Sequence, residues 1–133
     1  MADSFNFELV SPERLLLSAS ATEVVLPGSE GEMTVMASHA PTMTTIRPGV
    51  LTVKDAAGQT QKFVVFGGFA DIVPTGCTVL AESALVVADF SKDILAKRIE
   101  RAKADLATAK GDETKTRIAQ LISDLGSLSA LAA

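Results

Sequence analysis

The chain has little of the material from which active sites are made. Its 133 residues contain one cysteine, Cys77, and one histidine, His39. An intrachain disulfide is therefore excluded, and a conventional zinc site, which needs several His or Cys ligands, finds one of each. Cys77 reads as a small apolar filler in a strand. No apolar run approaches the roughly 18 residues that span a bilayer, so no direct membrane insertion is expected. The opening MADSFNFELV has neither basic residues nor a long apolar stretch, so neither a secretory signal nor a transit peptide is expected there. Positive charge is also short. The formal net charge is −4, which argues against nucleic-acid binding, since that requires a basic face to neutralise phosphates.

What is present is divided unevenly. Residues 1–90 carry four Lys or Arg against ten Asp or Glu, and residues 91–133 carry eight against six. All five prolines and all six phenylalanines lie at or before Phe90. The first part reads as strands: Phe5, Phe7 and Leu9 alternate with polar neighbours, as do Val24 and Leu26. Short runs follow at Met33 to Val35, Val50 to Val53, Phe63 to Phe66, Phe69 to Val73, Thr78 to Ala81 and Leu85 to Ala88. Turn signals separate them at Ser11-Pro12, Pro27-Gly28, Pro48-Gly49, Ala57-Gly58 and Thr75-Gly76. Many short strands at this spacing predict a β-sandwich or barrel. Gly67-Gly68 reads as a tight hairpin or bulge, because a phosphate-cradling loop would need a helix after it. Leu26 to Pro48, dense in Pro and Gly, reads as a rigid, polar-tipped loop region that docks a partner.

After Phe90 the period changes. Leu95, Ile99, Ala102, Leu106 and Ala109 form one helical seam, and Ile118, Leu121, Ile122, Leu125 and Leu128 form a second. Ser91 is the expected cap of the first helix. Lys110-Gly111-Asp112 ends that helix, and Asp112 or Thr114 caps the next. The predicted architecture is an N-terminal β-sandwich over 1–88 followed by a C-terminal antiparallel two-helix hairpin over 89–133. The hairpin is weakly held by its own sequence, since two of the five residues in its first seam are alanine and Gly126 falls inside its second helix. Such an element suits a change of position.

No catalytic constellation stands out. There is no nucleophile elbow. Glu30 and Glu32 form a solvated acidic lip, an acid/base pair or a calcium site, and His39 is a turn residue or a contact residue. A small hydrolase or isomerase would have to be built from His39 with Glu30 or Glu32. The helix face Lys97, Arg98, Arg101 and Lys103 is basic and interleaved with Glu100 and Asp105. It is either a solvated face or a contact for an acidic surface or a nucleotide phosphate.

Six segments in order, F-x-L-V-S-P-E (Phe7 to Glu13), L-P-G-S-E-G-E (Leu26 to Glu32), H-A-P (His39 to Pro41), R-P-G (Arg47 to Gly49), F-G-G-F (Phe66 to Phe69) and T-V-L-A-E (Thr78 to Glu82), resemble the epsilon-subunit family of bacterial F-type ATP synthases, called delta in mitochondria. The resemblance implies a non-catalytic rotor subunit of the central stalk, peripheral on the cytoplasmic face of the bacterial inner membrane. It would couple proton flow through the c-ring to ATP synthesis. Its implied partners are the gamma subunit, the polar loops of the c-ring and, through the hairpin, the alpha/beta catalytic head. By the same resemblance, Glu32 in the S-E-G-E turn takes the acidic position that faces the c-ring, with Glu30 and Gly31 beside it as partner-binding residues, and His39, with Ala40 and Pro41, belongs to the segment that faces gamma. Some members bind ATP through I/L-D-x-x-R-A on the first helix and use the hairpin to restrain ATP hydrolysis. Here Arg101-Ala102 match the end of that motif, but Lys97-Arg98 stand where Ile-Asp belongs. The positions that would carry a regulatory nucleotide are thus Arg98, Arg101 and Ala102. The missing aspartate argues against ATP there, and no cofactor is expected.

Overall fold

The computed structural model describes residues 3–132. The alternation near the start becomes β1 (Phe5–Ser11), with Phe5, Phe7 and Leu9 buried and their neighbours Asn6 and Glu8 exposed. Pro12-Glu13 turns the chain into β2 (Arg14–Gly28), which pairs antiparallel with β1 over its first half. The remaining strands are β3 (Gly31–Val35), β4 (Thr42–Asp55), β5 (Thr60–Val73), β6 (Gly76–Ala81) and β7 (Ala84–Val86).

Their order is β1-β6-β5-β4-β2-β3, with β7 on β5. Because β1 pairs both β6, in parallel, and β2, antiparallel, the sheet closes on itself as a flattened barrel, the predicted sandwich. Between its two faces lie Phe7, Leu9, Val24, Leu26, Leu51, Val53, Phe63, Ile72 and Val79. Each such side chain removed from water stabilises the fold by about 1.5–3 kcal/mol. Cys77 is in this core, as expected of it.

The strands are longer than the sequence suggests, and the difference has one cause: residues that look like punctuation sit inside strands. Leu26 to Pro48 is mostly strand and not a loop region. Its only reversals are the Ser29-Glu30 turn and the segment 36–41. Pro27 is within β2 and Pro48 within β4, where the pairing between these strands slips between Val25 and Gly28. A proline has no N–H for a ladder bond, and such an irregularity removes the need for one. Gly49 lies against Pro27, whose Cβ would stand 2.7 Å from any Cβ added there.

Gly67-Gly68 is neither a hairpin nor a bulge. β5 continues through it, and its pairing with β7 before the pair (Val65 with Ala84) and with β6 after it (Gly68 with Ala81) keeps one unbroken register. Phe66 N–H donates to the Ser83 carbonyl and Glu82 N–H to the Gly67 carbonyl across the gap. The pair is a kink, with φ of 111° and 145°. At Gly68 a Cβ would fall 2.2 Å from the Leu80 carbonyl oxygen, so only glycine fits.

The chain divides into two compact units between Val86 and Val87. In the second, α1 (Lys92–Thr108) starts where the Ser91 hydroxyl accepts the Ile94 N–H at 3.2 Å. It packs on α2 (Asp112–Gly126) across Ala109, Lys110 and Gly111. α2 is capped by Gly111, with φ of 88°, and not by Asp112 or Thr114. Asp112 and Glu113 instead occupy its first turn, where carboxylates complement the helix dipole. Gly126 is the last residue of α2, so the interior cost expected of it does not arise. Leu128, expected on that helix, lies beyond its end and is nevertheless buried.

Candidate functional site

Gly28 and Gly31 pair across the tip of the β2–β3 hairpin and hold the two-residue turn Ser29-Glu30. Gly31 has φ of 128°, a conformation that glycine adopts without strain. Glu30 in the turn and Glu32 at the start of β3 are exposed. They border an open groove whose other wall is Thr42, Met43 and Thr44 at the start of β4. Met43 is 65% exposed, and Met33 lines the same groove.

His39, Ala40 and Pro41 lie in the segment entering β4 and are not part of that groove. The segment is well tied down. Ser38, with φ of 66°, donates its N–H to the Pro74 carbonyl at 2.9 Å, and the His39 N–H reaches the Met36 carbonyl. The Ala40 carbonyl accepts twice, from His39 Nδ1 at 2.7 Å and from the Thr42 hydroxyl at 3.0 Å. A carbonyl only accepts, so Nδ1 carries the proton. The ring is thus committed to its own loop. Among the described residues no group of three or more His, Cys, Asp or Glu side chains is placed to hold a metal. No helix among them is long and apolar enough to cross a membrane. On α1, Arg98, Arg101 and Ala102 stand at i, i+3 and i+4 on one face of the helix, with Ala102 buried, Arg98 half-buried and Arg101 exposed.

A second surface escaped the sequence reading. Val10 pairs with Leu15 and with Leu80, Leu80 pairs with Phe69, and Phe69 pairs with Thr45. Directly paired residues point to the same side of a sheet, so these side chains form a ribbon across the outside of β2, β1, β6 and β5. Leu15 and Leu80 are each 53% exposed and Phe69 is 37% exposed. One step along the same strands the outward positions are polar: Glu8, Thr78 and Asp71. The signal was legible as broken alternation in Leu9-Val10, Phe69-Ala70, Val79-Leu80 and Leu15-Leu16-Leu17, where apolar residues take consecutive positions on opposite faces.

Residues 4–87 match the family model of the ATP synthase delta/epsilon chain β-sandwich domain. The chain belongs to that family. The ATP synthase epsilon chain of Sinorhizobium medicae (strain WSM419) is 63% identical over 128 residues, covering 96% of this chain and 95% of that one. The epsilon chain of Sinorhizobium fredii (strain NBRC 101917 / NGR234) is 72% identical over 106 residues, covering 80% and 79%. Among solved structures, a chain of the Euglena gracilis mitochondrial ATP synthase OSCP/F1/c-ring assembly superposes with a TM-score of 0.73 at 22% identity, covering 96% of this chain and 80% of that chain. At that identity the likeness shows a shared fold. The six quoted sequence segments fall within the matched region.

Proposed function

We propose that this chain is the non-catalytic epsilon subunit of a proton-translocating F-type ATP synthase, a central-stalk component that turns with the rotor and couples proton flow to ATP synthesis. The observation that carries the mechanical part of this reading is the apolar ribbon Leu15–Val10–Leu80–Phe69 on the outside of a closed sheet. A monomeric sheet gains nothing by exposing such side chains in a row, whereas a partner that covers them gains their burial. We assign this ribbon, together with the His39–Pro41 segment, to the gamma subunit. The acidic tip at Glu30 and Glu32 is assigned to the polar loops of the c-ring, where exposed charges set register more than affinity. A joint that carries torque must resist bending, and a sheet with no open seam between β1 and β2 meets that need.

The helical tail is assigned a contact with the alpha/beta head. No cofactor is assigned: Lys97-Arg98 replace the Ile-Asp of the family's nucleotide motif, and Ala102 at its end is buried. The working location is peripheral, on the cytoplasmic face of the bacterial inner membrane.

The deciding experiment is co-purification with gamma and the c-ring. Leu80→Asp places a charge in the middle of the ribbon and is expected to abolish capture by gamma while the circular dichroism of the isolated subunit is unchanged. Undiminished capture would refute the assignment. His39→Ala in the isolated protein is expected to cost no turnover, because the reading gives it none. ATP hydrolysis by the complex with and without residues 91–133 tests restraint by the tail, and equal rates would reject it.

A further inference from the structure

Oxidisable side chains are scarce here and unequally exposed. The chain has no Trp and no Tyr. Its one thiol, Cys77, is buried, and desolvation first, then the Asp71 carboxylate, pushes it up to about 12. It stays protonated, and the thiol form is a poor nucleophile toward oxidants. The other sulfur belongs to four methionines, of which Met33, Met36 and Met43 fall close together in sequence. Met43 at 65% and Met36 at 54% are the two most exposed large apolar side chains among the described residues. Met33 is half-buried.

Their positions are not neutral. Met43 forms one wall of the groove whose other side carries Glu30 and Glu32. Met36 accepts the His39 N–H through its carbonyl, and so belongs to the hydrogen-bonded segment that leads to Ala40 and Pro41. Thioethers give these two places soft apolar contact area that adapts to a partner. A sulfoxide at either position adds a strong acceptor oxygen that a docked partner would leave unsatisfied.

We propose that Met43 and Met36 are sites of reversible oxidation to the sulfoxide by hydroperoxides, and that this modification, made on the unassembled subunit, weakens its docking to the rotor. The proposal rests on the rotor reading above. In the step, a sulfur lone pair attacks the terminal peroxide oxygen, the O–O bond breaks and an S–O bond forms. The proton passes to the departing oxygen, which leaves as water or an alcohol. Sulfur loses two electrons and the peroxide gains them. Thiol-dependent sulfoxide reduction reverses the change.

The test has two arms. The purified full chain is treated with dilute hydrogen peroxide and digested, and oxygen gain is mapped by mass spectrometry. Met43 and Met36 are expected to gain oxygen before Met33 and Cys77. Prior oxidation of Met33 or Cys77, or none at the two exposed residues, overturns the proposal. In the second arm, affinity for the gamma and c-ring assembly is measured before and after peroxide. It is expected to fall about tenfold per sulfoxide formed and to recover after sulfoxide reductase treatment. In the Met36→Leu, Met43→Leu double variant the ratio of the two affinities is expected to be one, whatever the starting value. Equal affinity of oxidised and untreated wild-type chain overturns the regulatory proposal and leaves the rotor reading standing. Failure of the untreated chain to bind refutes the rotor reading and the proposal with it.

Discussion

In the β unit, Phe7, Leu9, Leu51 and Ile72 are removed completely from water, and each is held by strands on both sides. In the helical tail the corresponding seam is Leu95, Ile99, Ala102 and Leu106 of α1 with Ala109 just past its end, of which only Leu95 and Ala102 are buried. The two regions are built from the same kinds of contact, but the first spends its sequence on large side chains in a closed sheet and the second on alanine in a pair of short helices. Burial free energy scales with apolar area, and isolated helices of this length are marginal in water. The difference teaches where stiffness and where adjustability reside in the chain. It also suggests substitutions that should affect one region and spare the other.

The largest contrast is expected from truncating one core residue in each region. Phe7→Ala should cost about 3–5 kcal/mol, because a fully buried ring leaves a cavity that paired strands cannot close. Leu106→Ala, half-buried on α1, should cost about 1 kcal/mol. Urea denaturation of the full chain reads both. Comparable losses would mean that the tail is as tightly built as the sheet.

The glycines give a second test of the same contrast. Gly68→Ala forces a Cβ onto the Leu80 carbonyl in a backbone conformation that L residues avoid, and about 3 kcal/mol or more should be lost. Gly126→Ala meets nothing within 4 Å at the end of α2 and should change stability by less than about 1 kcal/mol, in the stabilising direction. Melting temperatures of the two variants should move in opposite senses.

These glycines also mark the limit of what the sequence conveyed. The change of period after Phe90, the Ser91 cap and the alternation of β1 were legible because each is a local pattern: burial on one face, or one hydroxyl and one N–H three residues on. Gly67-Gly68, Pro48 and Pro27 were misread because their usual meaning is local, whereas their role here is set by neighbours far away in sequence, Leu80 and Ala81 for Gly68 and Gly49 for Pro27. The ribbon was missed for the same reason. Val10, Leu80 and Phe69 are unremarkable apart, and become one surface only through the pairing of β1 with β6 and β6 with β5. For the tip and loop residues the resemblance supplied candidate positions, while the geometry separates Glu30 and Glu32, at the groove, from His39, outside it.

The most selective effect expected is alkaline. Cys77 lies in the β core, and its thiol is pushed up from 9.0 to about 12, by burial first and by the Asp71 carboxylate second. The folded state therefore holds the proton more tightly than the unfolded chain does. Below about pH 9 both states keep it, and the stabilisation from the neutral thiol is fully present. Between about 9 and 12 the unfolded chain ionises while the folded one does not, so unfolding gains a driving force of at most about 1.4 kcal/mol per pH unit. Cys77→Ala removes this dependence at the cost of a small cavity at neutral pH. Wild type should be the more stable of the two at pH 7, and its advantage should shrink steadily above pH 9 in parallel denaturation series. Every other side chain is shared by the two proteins and cancels in the difference. A constant difference from pH 7 to 11 would mean that the thiol ionises in the folded sheet as readily as in the open chain, and that the core around Ile72 and Val79 admits water that the closed sheet should exclude.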